Sequence, residues 1–209
     1  MYVAFVVSSL VFVLFPQIDI MVSGLFFDKD FFASQSLWAD FFYYSVQPLI
    51  FIFIISGIIL WLYNRFKKRD LFYFHGRHLL YTVLVLAIGS GLIVNAILKD
   101  HWGRARPNQT IEFGGDKTFS PAFYLSDQDG YSFSCGHGSA AFSLIAVALL
   151  MRKRKNLWMG LAIGYGSLVS LARIAAGGHF LSDVVVSFFI MYFTAKILYA
   201  LMIEEVESS

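Results

Sequence analysis

The 209-residue chain is 58% hydrophobic and only 14% charged, with a formal net charge of +2, where a soluble domain carries about 25% charged residues. With a mean hydropathy of +0.66, this excludes a single water-soluble core and points to a membrane-embedded bundle. The one cysteine, Cys135, excludes an internal disulfide and any multi-cysteine metal site.

A membrane-spanning helix needs about 20 mostly apolar residues, and six such segments follow along the chain. The first, 3–26, is interrupted by Pro16 and Asp19. Its leading apolar stretch has the length of a signal-peptide core, but no Lys or Arg precedes it and no small-x-small site follows, so it reads as a retained span. The others are 46–62, 78–98, 136–151 (the shortest), 157–175 and 181–203. The segment 27–45 mixes aromatic and acidic residues, as a helix lying at the membrane interface does. The loop from Lys99 to Ser134 is polar, rich in Gly and Asp, and carries Pro107 and Pro121; a loop of that length in a compact bundle is often functional. The expectation is an all-α, polytopic bundle of about six transmembrane helices forming one domain over 1–209.

Charge orients the bundle. Arg65, Lys67, Lys68, Arg69 and Arg77 lie between the second and third segments, and Arg152, Lys153, Arg154 and Lys155 between the fourth and fifth. Basic residues in short loops mark the cytoplasmic side. Both termini then fall in the cytoplasm, and the loops at 27–45, 99–135 and 176–180 fall outside, where the charges are mostly acidic. Short basic tracts abutting apolar spans are topology signals, so no nucleic-acid partner is expected. The acidic end (Glu204, Glu205, Glu207) reads as a solvated cytoplasmic tail.

Three ionisable clusters reach the same outer face in this topology: Lys99 through Arg104, Arg106 and Pro107; Ser134-Cys135-Gly136-His137; and Arg173 through His179 to Asp183. Lys99, Arg104, Arg106 and Arg173 make a dense positive site suited to a phosphate, which arginine grips bidentately. Ser134 resembles an N-cap, so the amides of Cys135, Gly136 and His137 would open the fourth helix toward an anion. His179 and Asp183, four apart, share one face at a helix start. Asp183 would accept from one imidazole nitrogen and leave the other free to attack. His137 is then available as the general acid. Taken singly, each feature has a plainer reading: a lone membrane histidine joins helices, and arginines at span ends snorkel. Three complementary clusters on one face are harder to explain as anchors, because unpaired charge there is costly.

Lys99-x6-Arg106-Pro107, Ser134-Cys135-Gly136-His137 and Arg173-x5-His179-x3-Asp183 resemble, in order and internal spacing, the three-part signature of the type 2 phosphatidic acid phosphatase superfamily, which includes vanadium haloperoxidases. The apolar layout is similar to its bacterial membrane lipid phosphatases. The resemblance implies a metal-free and cofactor-free phosphatase of the bacterial inner membrane, with its site on the periplasmic face. It makes His179 the nucleophile, forming a phosphohistidine; His137 the acid toward the leaving group and then the base toward water; and Lys99, Arg106, Arg173 and the amides at 135–137 the phosphate ligands, with Arg104 beside them. The lipid would enter from the bilayer, and no obligatory protein partner is implied.

This chain departs from the family at one place that bears on chemistry. The second motif usually reads Pro-Ser-Gly-His, and here Cys135 stands where the serine donates to phosphate. A thiol is the poorer donor, and losing a charge-assisted bond costs roughly 1.5–3 kcal/mol. Ala172 also replaces the serine that often precedes the arginine. A cysteine phosphatase with Cys-x5-Arg is not indicated, since position 141 is Ala141. Substrates of the family's proteins of this shape include lipid A phosphate, polyprenyl diphosphate, phosphatidylglycerophosphate and phosphatidic acid. Two other functions fit the same residues: phosphotransfer from the phosphohistidine to a lipid hydroxyl, and a non-catalytic lipid-phosphate binder.

Overall fold

The computed structural model describes residues 1–204; Glu205 and Glu207 of the acidic tail lie outside the described residues. The chain runs α1 (Tyr2–Leu14), α2 (Gln17–Gly24), a two-residue antiparallel pairing of β1 (Phe27–Asp28) with β2 (Asp30–Phe31), α3 (Leu37–Lys67), α4 (Gly76–Lys99), α5 (Gly136–Leu150), α6 (Lys155–Ala175) and α7 (Leu181–Glu204). The second part of α4, Val85–Lys99, is π-helical. The chain is an integral membrane protein: α3, α4, α6 and α7 are each long and apolar enough to cross a bilayer.

The other two expected spans differ from simple helices. The helices α1 and α2 meet at a bend of 88°. Proline supplies no backbone N–H and breaks a helix that precedes it; Pro16 stands at the bend, and Phe15 before it has left the helical region. Helix α5 has 15 residues and a break at Ser143. At 1.5 Å per residue it covers about 22 Å, against a hydrocarbon core of about 30 Å. It does not face lipid along its length, because the bundle wraps it: α5 packs against α3, α4, α6 and α7. So, among the described residues, the six expected spans become four helices long enough to cross a bilayer, one bent pair and a short central helix. Small residues allow the close approach, as is usual between membrane helices. A Cβ on Gly166 of α6 would lie 2.3 Å from the Phe142 ring of α5.

The expected interfacial helix over 27–45 is also revised. Ser36 caps a helix that starts at Leu37, its Oγ accepting from the Ala39 N–H at 3.2 Å, and that helix runs unbroken to Lys67. Its perimeter position leaves Phe51, Ile52, Ile55, Ile59 and Phe66 exposed, as lipid contact requires. At its far end buried Asn64 stitches the basic turn, donating to the carbonyls of Leu71 and Phe74 and accepting from the Leu71 N–H.

Helix order alone would not unite the three clusters; the 100–135 loop does. It doubles back so that the Ser126 N–H donates to the Trp102 carbonyl at 2.9 Å and the Ser132 N–H to the Arg104 carbonyl at 3.0 Å. That lays the first cluster beside the second. The Asn108 N–H then donates to the Gly177 carbonyl at 3.1 Å, and the Cys135 N–H to the Asp183 carbonyl at 3.4 Å. These bonds tie the first and second clusters to the third.

Candidate active site

Lys99 ends α4, Arg106 follows in the loop, Cys135 opens α5, and Arg173 and Asp183 flank the turn between α6 and α7 that carries His179. Lys99, Arg106, Arg173, His137, Cys135 and His179 lie within electrostatic reach of one another. Among the described residues, none of Lys99, Arg106 and Arg173 has a carboxylate ion-pair partner. Burial first, and the Arg173 charge second, push the Arg106 guanidinium below the ordinary arginine value. Two buried polar atoms here also lack a hydrogen-bond partner, Arg173 Nε and Ser134 Oγ. Converging half-buried cations with unused donors form a site for an anion.

The cap of α5 is placed one residue later than expected. Cys135 is the N-cap, and its Sγ accepts from the Gly138 N–H at 3.3 Å. Ser134 is fully buried behind it. Because the Cys135 amide already donates to the Asp183 carbonyl, the cradle is left with the amides of Gly136 and His137, the first of α5 without an intrahelical acceptor. Gly136 also faces α4: a Cβ there would lie 2.7 Å from Asn95 Oδ1.

His179 is almost fully buried. Its Nδ1 lies 2.7 Å from the Ser132 carbonyl, with Asp183 Oδ2 at 3.6 Å. The direct acceptor is therefore Ser132, not Asp183 as the spacing suggested. A carbonyl only accepts, so Nδ1 carries a hydrogen, and in the neutral ring Nε2 keeps the lone pair. Asp183 Oδ2 is held by the Ser132 hydroxyl at 2.6 Å and the Phe180 N–H at 2.8 Å. Ser132 thus connects the carboxylate and the imidazole.

The Cys135 thiol and the His179 imidazole lie within electrostatic reach of each other. Burial favours the neutral thiol, but His179, the Gly138 N–H and Arg173 outweigh it and lower the thiol below its usual value. Burial likewise disfavours charge on His179; Cys135 and then Asp183 reverse that and raise the imidazole above its ordinary value. His137 is only partly buried and stacks on Tyr43 of α3, with ring centroids 4.2 Å apart. Arg173 sits over the same Tyr43 ring at 4.9 Å. Beside them opens a polar cleft of about 220 Å³ lined by Ser34, Asp40, Tyr43, Tyr44 and Arg173.

Arg104, expected among the phosphate ligands, is elsewhere. It is fully buried, and its guanidinium donates to Asp183 Oδ1 at 2.5 Å, Asp19 Oδ2 at 2.8 Å, Ser182 Oγ at 2.8 Å and the Ser120 carbonyl at 2.8 Å. With most of its donors engaged, it has little left for substrate. Sequence reasoning treated Asp19 only as an interruption of a span, although a carboxylate inside an apolar run is a functional signal. Ser132 and Ser182 carried no signal, and Tyr43 was lost among the aromatics of its segment.

Residues 80–207 match the PAP2 superfamily. A lipid A 4'-phosphatase of Francisella tularensis subsp. novicida (strain U112) is 33% identical, the match covering 94% of this chain and 91% of that protein. A lipid A 4'-phosphatase of Rhizobium leguminosarum is 31% identical, over 84% of this chain and 83% of that protein. One from Rhizobium etli is 32% identical, over 83% and 75%. No solved structure matches the chain.

Proposed function

The chain belongs to the PAP2 superfamily and is a lipid phosphatase, and on that premise we propose that it removes a phosphate monoester from lipid A or a closely similar glycolipid through a phosphohistidine on His179, at the periplasmic face of the inner membrane. The observation that carries the mechanism is the Nδ1 contact of His179 with the Ser132 carbonyl at 2.7 Å, which in the neutral ring puts the lone pair on Nε2, among cations that have no carboxylate partner among the described residues.

Nε2 attacks phosphorus opposite the ester oxygen. The P–O bond to the sugar breaks as the N–P bond forms, and His137 gives its proton to the departing oxygen. Lys99, Arg106, Arg173 and the amides of Gly136 and His137 hold the equatorial oxygens, where charge spreads in the transition state. Water then attacks the phosphohistidine, His137 takes its proton, and inorganic phosphate leaves. No step calls on a metal. The charge rule supports an outer face, since the basic turns at 65–69 and 152–155 lie at the opposite ends of the helices from this site.

The leaving group departs on the His137 side, where Tyr43, Tyr44, Asp40 and Ser34 border the cleft. Tyrosine faces and a carboxylate acceptor suit a neutral, hydroxyl-bearing ring. The Asp40 carboxylate would repel a second phosphate, which disfavours a diphosphate substrate.

The test is phosphate release by purified protein in detergent with EDTA, over lipid A, a polyprenyl diphosphate, phosphatidylglycerophosphate and phosphatidic acid, beside His179→Ala. Release from lipid A that survives EDTA and disappears in the variant is expected. Release that needs added metal, or that persists in His179→Ala, would overturn the mechanism; preference for the diphosphate would overturn the substrate.

A further inference from the structure

The site rests on a second buried charge cluster that reaches the first segment of the chain. Asp19 lies on α2, the short arm beyond the bend, and is fully buried. Its Oδ1 accepts from the Ser182 N–H at 2.9 Å; its Oδ2 accepts from Ser182 Oγ at 2.5 Å and from Arg104 at 2.8 Å. Arg104 donates from its other terminal nitrogen to Asp183 Oδ1 at 2.5 Å and to Ser182 Oγ at 2.8 Å. Asp183 Oδ2 takes the Ser132 hydroxyl, and the Ser132 carbonyl takes His179 Nδ1. Asp19, Arg104, Asp183, Ser132 and His179 therefore form one continuous buried path.

We propose that Asp19 is a positioning residue for phosphoryl transfer: it shares Arg104 with Asp183, and so sets how Asp183 and Ser132 hold the nucleophilic histidine. The inference rests on the phosphohistidine reading above.

Stability alone is a weak reason for such a cluster. Desolvating two carboxylates and a guanidinium costs about as much as their attraction returns, and apolar side chains of similar volume often serve better. Geometry gives the arrangement a specific role. A single carboxylate facing Arg104 would take the full guanidinium fork. With Asp19 present the fork is divided, and only one Asp183 oxygen is drawn to it. The other oxygen is left for Ser132, and the ring side of Asp183 stays 3.6 Å from the imidazole. Ser182 locks the division, since its hydroxyl donates to Asp19 while accepting from Arg104. Neutralising Asp19 releases Arg104 onto Asp183, turns the carboxylate and loosens Ser132, so the imidazole loses its fixed tautomer and aim. Phosphate binding by Lys99, Arg106 and Arg173 is untouched, because among the described residues none of them is a hydrogen-bond partner of this path.

The experiment compares kcat and KM of wild type, Asp19→Asn and Ser182→Ala in detergent on the best lipid phosphate, with thermal melting and inhibition by vanadate as a phosphate mimic. Losing a group that orients a reacting side chain typically costs about 10- to 100-fold in activity. Asp19→Asn is expected to lower kcat by that amount, with KM and the vanadate inhibition constant within about threefold of wild type. Ser182→Ala, which keeps both charges and removes only the lock, should fold even where Asp19→Asn does not, and should lower kcat by a smaller factor in the same pattern. Wild-type kcat in folded Asp19→Asn or in Ser182→Ala overturns the inference, as does a loss confined to KM and vanadate affinity. These outcomes leave the phosphohistidine reading standing. That reading fails separately if wild type releases no phosphate or His179→Ala retains release, and the positioning role then fails with it.

Discussion

Gly178→Ala should disable the phosphate grip without disturbing the backbone. A Cβ on Gly178 would lie 2.2 Å from Arg173 Nη2, 2.8 Å from Cζ and 3.3 Å from Nε. Ordinary contact lies near 3.5 Å, so the guanidinium must retreat by about 1 Å. Charge-assisted hydrogen bonds are made at about 2.7–2.9 Å, and a shift of that size breaks whichever bond Arg173 makes to phosphate. One such bond is worth roughly 1.5–3 kcal/mol, and at 1.36 kcal/mol per decade that is about 10- to 150-fold in kcat/KM. The neighbouring Gly177 has φ +68°, so a side chain there would strain the turn itself; Gly178 lies outside that region. The assay is kcat/KM for phosphate release, with thermal melting to confirm folding. Gly160→Ala serves as the control, since a Cβ there meets nothing within 4 Å. A folded Gly178→Ala enzyme within threefold of wild type would refute the placement of Arg173 on the transferred phosphate.

Attack requires neutral His179, whose pKa Cys135 and Asp183 raise above the ordinary imidazole value; activity should therefore rise with pH through that elevated value. Cys135→Ser removes the thiol whose influence raises His179, so the rising limb of the kcat/KM profile should move to lower pH, and an unmoved limb would show that the thiol does not govern the nucleophile. Asp40→Asn should narrow the preference for a glycolipid monoester over a polyprenyl diphosphate, measured as the ratio of the two kcat/KM values, because the variant no longer repels the second phosphate. An unchanged ratio would remove Asp40 from the leaving-group side.

Much of this protein was legible as a one-dimensional pattern. The apolar runs set the membrane class and located α3, α4, α6 and α7, because a helix that faces lipid must be apolar over a bilayer's width wherever it packs. The charge-bearing ends of those runs named Lys99, His137, Arg173, His179 and Asp183, since ionisable groups at such places are too costly to be incidental. Motif spacing also placed Arg104 among the phosphate ligands, and there it misled. Spacing reports which residues are close in the chain, whereas the role of a guanidinium depends on which carboxylates face it. The partners that claim Arg104 are 85 and 79 residues away, and Ser182 bonds Asp19 across 163 residues. No local pattern encodes contacts of that range. The bend at Pro16 carries Asp19 inward, the doubled loop lays Ser132 beneath His179, and the short α5 turns Cys135 instead of Ser134 into the cap. The sequence by itself determined which chemical groups were available at one membrane face. Tertiary structure decided which of them stay without a carboxylate partner and which are consumed in holding His179, because that depends on hydrogen-bond partners brought together only when the helices pack.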